Sequence, residues 1–352
     1  MPSSDLISAL AERTLTLVDI PSESRSEAAV HAYLCAQVPL PLELDDGESL
    51  LYAKRAGKPL ILLAGHTDTV PSQGNLPGRI EDGAVVGLGA SDMKGGLAVM
   101  VELGRWAAET DLAYDLALLF FPREELGPAE NPLPNVFEQA PLVDEAKLVI
   151  CLEPTDNTLQ LGCLGNLNAR AVFDGTSAHS ARPWLGVNAI RLAFDGLRQA
   201  LESEPRDVVI EGLLFREVIS VTELHAGIAS NVIPARAEAI LNFRYAPDRT
   251  PADAESRVRA LVGRDVEILS NSPPAHVAIG SPIVEELRSA GSFELQPKQA
   301  WTNVADFAAR GLDAVNLGPG GTRYAHAVDE RVEIAELGRT FVALQRFLLG
   351  SV

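Results

Sequence analysis

Four apolar runs constrain this chain more than any other feature: PLILLAGHTD, DLALLFFPREE, AKLVICLEP and LDAVNLGPGG. Each is too continuous for an antiparallel strand with one wet face. Each therefore reads as a strand buried on both faces, within a mainly parallel sheet covered by helices. Helical periodicity appears in KGGLAVMVELGRWAAE and again in AELGRTFVALQRFLLG. Strands alternating with helices in this way predict an α/β fold.

Polar residues gather where the runs end. His66 and Asp68 follow the first, Glu124 and Glu125 the second, and Glu153 the third. Open α/β sheets bind ligands at the carboxyl edge of their strands, so these segments are expected to meet in one crevice. Adjacent side chains on an extended segment point to opposite sides, so Glu124 and Glu125 cannot share one salt bridge. They suit two separate tasks, one ligating a cation and the other taking a proton from water. The pattern alone does not say which residue does which.

His66 and Asp68 would share a side if the strand continues, and Asp68 would then accept the second imidazole N–H and fix the tautomer. Asp92, just ahead of a helix in GLGASDMKGG, has two oxygens with which to bridge two ions, and His326 adds another imidazole. Zinc accepts nitrogen and oxygen donors, and paired hydrolytic cations lie about 3.5 to 4 Å apart. Several acids at the mouths of buried strands would be costly without such positive charge. A nucleotide loop at GLGASD is a poor alternative, because the third glycine of GxGxxG is missing.

From about Asn166 to Asn271 the pattern changes to strand, helix, two strands, helix and strand. This β-α-β-β-α-β order is the ferredoxin-like split arrangement. It predicts an α+β domain, residues 166–274, inserted into an α/β domain made of 1–165 and 275–352. At 352 residues the chain has room for both cores.

A net charge of −19 argues against nucleic acid or an anionic membrane as a partner. The N-terminal stretch lacks a basic segment followed by an unbroken apolar one, and no apolar run approaches membrane-spanning length, so a soluble, cytoplasmic protein is expected. Cys35, Cys151 and Cys163 have no CxxC spacing and are expected as small core residues. His31, His225 and His276 match no site motif and are expected to be structural or solvated.

The segments GHTDTVP, GLGASDMKGG, REELGP, CLEP and GPGGTRYAH, in this order, resemble the M20 family of dinuclear zinc peptidases and deacylases. The resemblance covers nearly the whole chain. It implies two zinc ions per subunit, with cobalt or manganese as possible substitutes. His66 and Glu153 would hold one ion, Glu125 and His326 the other, and Asp92 would bridge them. Asp68 would orient His66, and Glu124 would be the general base. The resemblance also implies a cis peptide between Asp92 and Met93, and a homodimer formed through the inserted domain acting as a lid. His179 would reach from that lid to a partner's substrate carbonyl.

Within the family, TSAHSARPWLGVNAI, ASNVIPARAEAILNFRYAP and WTNVADFAARGLDAVNLGPG are most similar to members that split N-succinyl-LL-2,6-diaminopimelate into succinate and diaminopimelate. Acetylornithine deacetylation, N-acyl amino acid hydrolysis and dipeptide cleavage are the alternatives. The substrate class implied is a small acidic N-acyl amino acid. Arg182, Asn231, Arg244, Gly320 and Thr322 are the expected substrate contacts. Where such members carry arginine in an RRGS segment, this chain has CLGN, Cys163 to Asn166, and Arg182 is the expected replacement.

Overall fold

The computed structural model describes residues 3–351. They form two compact units, the first running to Leu161 and including Ala278–Gln296 and everything from Thr302 onward, the second comprising Gly162–Val277 and Pro297–Trp301. Side-chain hydrogen bonds tie the short Pro297–Trp301 segment to the second unit. Gln299 Nε2 donates to the Leu214 carbonyl at 2.9 Å, and Trp301 Nε1 donates to that of Pro273 at 3.1 Å.

The first unit is built on an eight-stranded mixed sheet whose centre is the four apolar runs. Asp115–Phe121, Leu60–His66, Ala146–Cys151 and Ala314–Asn316 lie side by side in that order and are mutually parallel. Every residue of Leu60–His66, Asp115–Phe121 and Ala314–Asn316 is buried, and only Lys147 of Ala146–Cys151 is exposed. Leu50–Lys54 and then Leu42–Asp45 add antiparallel strands at one side, and Leu159–Cys163 and then Leu295–Lys298 complete the other. Leu62, Leu63, Leu118 and Leu119 are wholly buried, each contributing about 1.5 to 3 kcal/mol by leaving water.

The helix Gly95–Ala108 packs on Leu60–His66 and Asp115–Phe121, and against the helices Ser4–Val18 and Ile334–Leu348. Two glycines allow it to sit so close. A Cβ on Gly65 would stand 2.8 Å from Met93 Cε, and one on Gly96 would stand 2.4 Å from the Leu152 carbonyl oxygen. Both distances are shorter than side-chain carbons tolerate. The glycines thus place the start of this helix, and the Asp92 segment before it, directly over the strand ends.

The carboxyl ends of the parallel strands are level. His66 lies opposite Phe121, and Cys151 opposite both Ala64 and Asn316. The ladder extends one step beyond the strands through Thr67 N–H to Phe121 and Leu152 N–H to Ala64, both 2.9 Å. Segments following these strands consequently leave the sheet along one edge.

The second unit has the expected β-α-β-β-α-β order, in Gly165–Asp174, Ala189–Leu201, Leu213–Ala226, Arg236–Tyr245, Pro251–Val262 and Glu267–Ser272. The sheet order is Leu213–Ala226, Arg236–Tyr245, Gly165–Asp174, Glu267–Ser272, antiparallel throughout. Strict alternation along Gly165–Asp174 buries Leu167, Ala169, Ala171 and Phe173 in the core that contains Ala193 and Leu197 of the first helix and Val258 of the second. Asn188 caps one helix, and Thr250 with Asp253 forms a capping box on the other. Two features lie outside the sequence expectation: an extra edge strand, Arg206–Ile210, and a two-residue pairing of Ala178–His179 with Val232–Ile233. Cys151 and Cys163 are core residues as expected, whereas Cys35 is exposed, because its helix turns that side away from the core.

Glu217 is an acid on the buried side of its strand, 5% exposed. Its carboxylate accepts from Arg249 Nε at 2.7 Å and from Arg206 Nη2 at 3.0 Å. Burial opposes its ionisation, but the two guanidiniums outweigh burial and hold it below the ordinary value of 4.5. Removing one partner of a fully buried ion pair costs about 3 to 5 kcal/mol; solvent around the partly exposed Arg206 reduces this to about 2 kcal/mol for Glu217→Gln. A depressed folded value stabilises fully above the unfolded one and is lost as pH falls through it. Urea denaturation should therefore show Glu217→Gln weaker than wild type at pH 7, with the gap closing below about pH 4.5. A gap independent of pH would point to packing instead of charge.

Candidate metal centre

His66 closes the central strand and is 1% exposed. Its Nε2 lies 3.0 Å from Asp92 Oδ1. Its Nδ1 lies 3.1 Å from the Asp68 backbone oxygen and 3.4 Å from Asp68 Oδ1. The residue expected to orient the imidazole therefore faces it with main chain as well as side chain. The Asp68 carboxylate also accepts the Ser24 hydroxyl at 2.7 Å and the backbone N–H groups of Glu124 and Glu125 at 3.0 and 3.2 Å. Burial opposes the charge on Asp68, yet His66 and these donors lower it below the ordinary carboxyl value.

Asp92 sits in a kinked segment with a cis peptide to Met93, before the helix Gly95–Ala108. Glu330, 1% exposed, fixes the segment by accepting three backbone N–H groups: Gly89 at 2.8 Å, Ser91 at 3.1 Å and Asp92 at 2.9 Å. Burial pushes the Glu330 carboxyl up to about 7, and pushes the enclosed Lys94 ammonium, which donates to the Ile20 carbonyl, down to about 8. Sequence reasoning missed Glu330. Its only signal is its place four residues after His326, and its partners are main-chain groups that no side-chain pattern records.

Two groups of donor atoms share Asp92. His66, Asp92 and Glu153 form one, and Asp92, Glu125 and His326 the other, with one ligand atom of each residue within 4.8 Å of those of its group. Asp92 turns Oδ1 to His66 and Oδ2 to His326, the latter at 3.8 Å, while His326 Nε2 lies 2.9 Å from Glu125 Oε1. His326 adopts a left-handed backbone, φ 61°, a conformation that costs a non-glycine residue about 1 to 3 kcal/mol. Glu124 joins His66 and Glu125 in a third group and belongs to neither of the first two.

The electrostatics say what this donor set lacks. Burial and the Glu153 carboxylate push Glu124 well above its ordinary value. The hydrogen bond to Glu125 raises His326 to about 9, and Asp68 and Asp92 raise His66 despite the opposing effect of burial. In each case a proton supplies positive charge that the acids demand. Divalent cations at the same place would do so more strongly. The donors are imidazole nitrogen and carboxylate oxygen without sulfur, a set that fits zinc and its first-row neighbours.

The remaining expected residues are placed as follows. The Gly320 N–H is not available to a substrate, because it is spent on Glu336 Oε2 at 2.9 Å. Thr322 is exposed at the start of the short turn Thr322–Tyr324. His179, Arg182 and Asn231 come together in the second unit: the Arg182 N–H donates to the His179 carbonyl at 2.8 Å and the Ser180 N–H to that of Asn231 at 2.9 Å. His179 Nδ1 accepts the Ala181 N–H at 3.0 Å. Arg244 lies apart from them, in the strand Arg236–Tyr245 opposite Asn166, with Nε donating to Asn242 Oδ1 at 3.1 Å. No helix among the described residues is long and apolar enough to cross a membrane.

Comparison with known proteins agrees with this geometry. The pattern of Peptidase family M20/M25/M40 matches residues 62–350. A Mycobacterium tuberculosis protein with the provisional name succinyl-diaminopimelate desuccinylase DapE is 39% identical over 347 residues, covering 96% of this chain and 98% of its own. The succinyl-diaminopimelate desuccinylase of Corynebacterium glutamicum is 34% identical over 361 residues, covering 99% and 98%. Among solved structures, aminopeptidase PepT of Bacillus cereus superposes with a TM-score of 0.79 at 21% identity, over 98% of each chain. The Bacillus subtilis YXEP protein, described as a dinuclear metal binding peptidase, does so with a TM-score of 0.64 at 15% identity, over 99% of this chain and 100% of its own. These likenesses share the fold, and the family match together with the curated relatives settles the assignment: this chain belongs to peptidase family M20/M25/M40.

Proposed function

We propose that the protein is a metal-dependent amide hydrolase that converts N-succinyl-LL-2,6-diaminopimelate and water to succinate and LL-2,6-diaminopimelate. The observation that carries the chemistry is the pair of donor groups sharing Asp92, with Glu124 beside them. The curated relatives support the substrate. His66 and Glu153 would hold one zinc ion, Glu125 and His326 the other, and Asp92 both. Bound cations supply the charge that acidifies water and polarises the amide carbonyl.

The chain's own residues do the rest. Asp68 fixes the His66 ring and, through the Glu124 and Glu125 N–H groups, the glutamate pair. Glu124 takes a proton from the attacking water as its oxygen bonds to the carbonyl carbon. It returns that proton to the amine as the C–N bond breaks. His179 donates to the carbonyl oxygen where negative charge develops. Arg182, exposed and without an ion-pair partner among the described residues, offers a planar fork to the succinyl carboxylate. Asn231 and Arg244 contact the amino acid part, with Thr322.

A homodimer through the second unit accompanies this reading. Ile190, Phe194 and Leu201, from 47 to 60% exposed, lie at seven-, three- and four-residue spacing from buried Leu197 and carry the apolar side of the helix out into solvent, with Trp184 and Leu185 exposed just before the helix. Among the described residues, the strand Leu213–Ala226 is paired by Arg206–Ile210 only as far as Glu217, leaving an open edge beyond. Apolar stripes and open edges of this kind are surfaces that a second copy covers.

Chelation should abolish turnover, and zinc or cobalt should restore it. Glu124→Ala should keep both cations by elemental analysis while losing about 10² to 10⁴ in kcat, whereas Glu125→Ala should lose cation. The reverse pattern would exchange the two roles.

Steady-state assays of succinyl-diaminopimelate against acetylornithine and dipeptides test the substrate, and a preference for either rival would replace it. Arg182→Ala should raise KM for the succinylated substrate far more than for a neutral acyl analogue. Equal losses would make Arg182 structural.

Mixed dimers test whether His179 serves the partner's site. Glu124→Ala and His179→Ala subunits, each nearly inactive alone, should recover about a quarter of wild-type activity when co-expressed, since one site of every heterodimer then carries neither lesion. Purified heterodimers without recovery would return His179 to its own subunit.

A further inference from the structure

A second group of side chains of metal-ligating type, sharing no residue with the carboxylate cluster, lies at the sheet edge. His31 and Cys35 are one turn apart on the helix Ala28–Gln37, and Asp45 ends the outermost strand, Leu42–Asp45. One ligand atom from each lies within 4.8 Å of the other two. His31 Nδ1 is 3.8 Å from Cys35 Sγ, and His31 Nε2 is 3.1 Å from Asp45 Oδ1.

Three observations favour a cation over a simple surface ion pair. A tetrahedral zinc ion with ordinary Zn–S and Zn–N bonds holds its sulfur and nitrogen about 3.6 Å apart, close to the 3.8 Å between Cys35 Sγ and His31 Nδ1, while Asp45 Oδ1 meets the other ring nitrogen, Nε2. Asp45 is itself anchored, since its Oδ1 accepts the Gly47 N–H at 2.9 Å. Cys35 is exposed, unlike Cys151 and Cys163, so its thiol is within reach of a solvent ion.

We infer that His31, Cys35 and Asp45 form a third cation site, with Cys35 Sγ, an imidazole nitrogen and a carboxylate oxygen as ligands and water as the fourth. A thiolate–imidazole–carboxylate set selects a borderline-soft ion, and zinc fits it best. Binding there joins the helix Ala28–Gln37 to the edge strand and releases the thiol proton. The site stands independently of the proposed reaction, because the carboxylate cluster contains no sulfur.

Cobalt titration of the metal-free full-length chain separates the two. Cobalt bound to thiolate gives an intense near-ultraviolet charge-transfer band, which nitrogen and oxygen ligands do not. The expected result is such a band with three equivalents bound. Cys35→Ser and His31→Ala should each abolish the band and one equivalent, while Glu125→Ala should lower cobalt content and keep the band. Zinc should also slow alkylation of Cys35 by about tenfold or more. Absence of the band at saturating cobalt, or its survival in Cys35→Ser, would overturn the site. Loss of the two sulfur-free equivalents with the band intact would instead count against the dinuclear centre alone.

Discussion

Asp68 receives the N–H groups of both Glu124 and Glu125 on its carboxylate and turns its backbone oxygen to His66, so one buried residue sets the positions of three others. The two glutamates are adjacent, and extended backbone would send them in opposite directions with nothing to hold either. Anchoring their shared backbone instead leaves both side chains on fixed stems. Asp68 depends in turn on the level strand ends, because His66 and Phe121 must lie opposite one another for the loops that follow to meet.

Glu330 does the corresponding work for Asp92. Three N–H groups at the start of a helical segment converge on its carboxylate, and the Asp92 backbone is held before its side chain meets either histidine. The glycines at 65 and 96 let that segment approach the strands, and the neighbouring acids then enforce close spacing of negative charge. Packing and electrostatics oppose each other here, and the apolar interior beneath prevails. Leu62, Leu63, Leu97 and Leu118, all wholly buried, fix the geometry that the charges above would relax.

Much of this was legible in the sequence because burial on both faces leaves a continuous apolar run, and a polar residue at its end has only the sheet edge to occupy. His66, Glu124, Glu125 and Glu153 are legible in that way. The β-α-β-β-α-β order was equally plain, since alternation in LNARAVFDG differs from the solid runs elsewhere. What escaped was whatever depends on main-chain partners or distant chain segments. Glu330 accepts only backbone donors, the Gly320 N–H is taken by a glutamate from the last helix, and Pro297–Trp301 joins the second unit through carbonyls. None of these leaves a periodicity. Cys35 escaped for a different reason: a lone cysteine on a mostly apolar helix looks like core until the facing element is known.

The two units treat buried acid in opposite ways, and the contrast separates structure from chemistry. Glu217 meets two guanidiniums that belong to the chain and remain charged at any ordinary pH, so its charge is settled on folding and serves only to join strands. Asp92 and Glu125 meet imidazoles, whose charge exists only while the acids hold a proton on them. A carboxylate paired with arginine has nothing left to bind. A carboxylate paired with a titrating imidazole can exchange that proton for a metal ion, because the ion satisfies acid and imidazole together. The same residue type thus becomes a brace in one unit and a ligand candidate in the other, according to whether its compensating charge is permanent or replaceable.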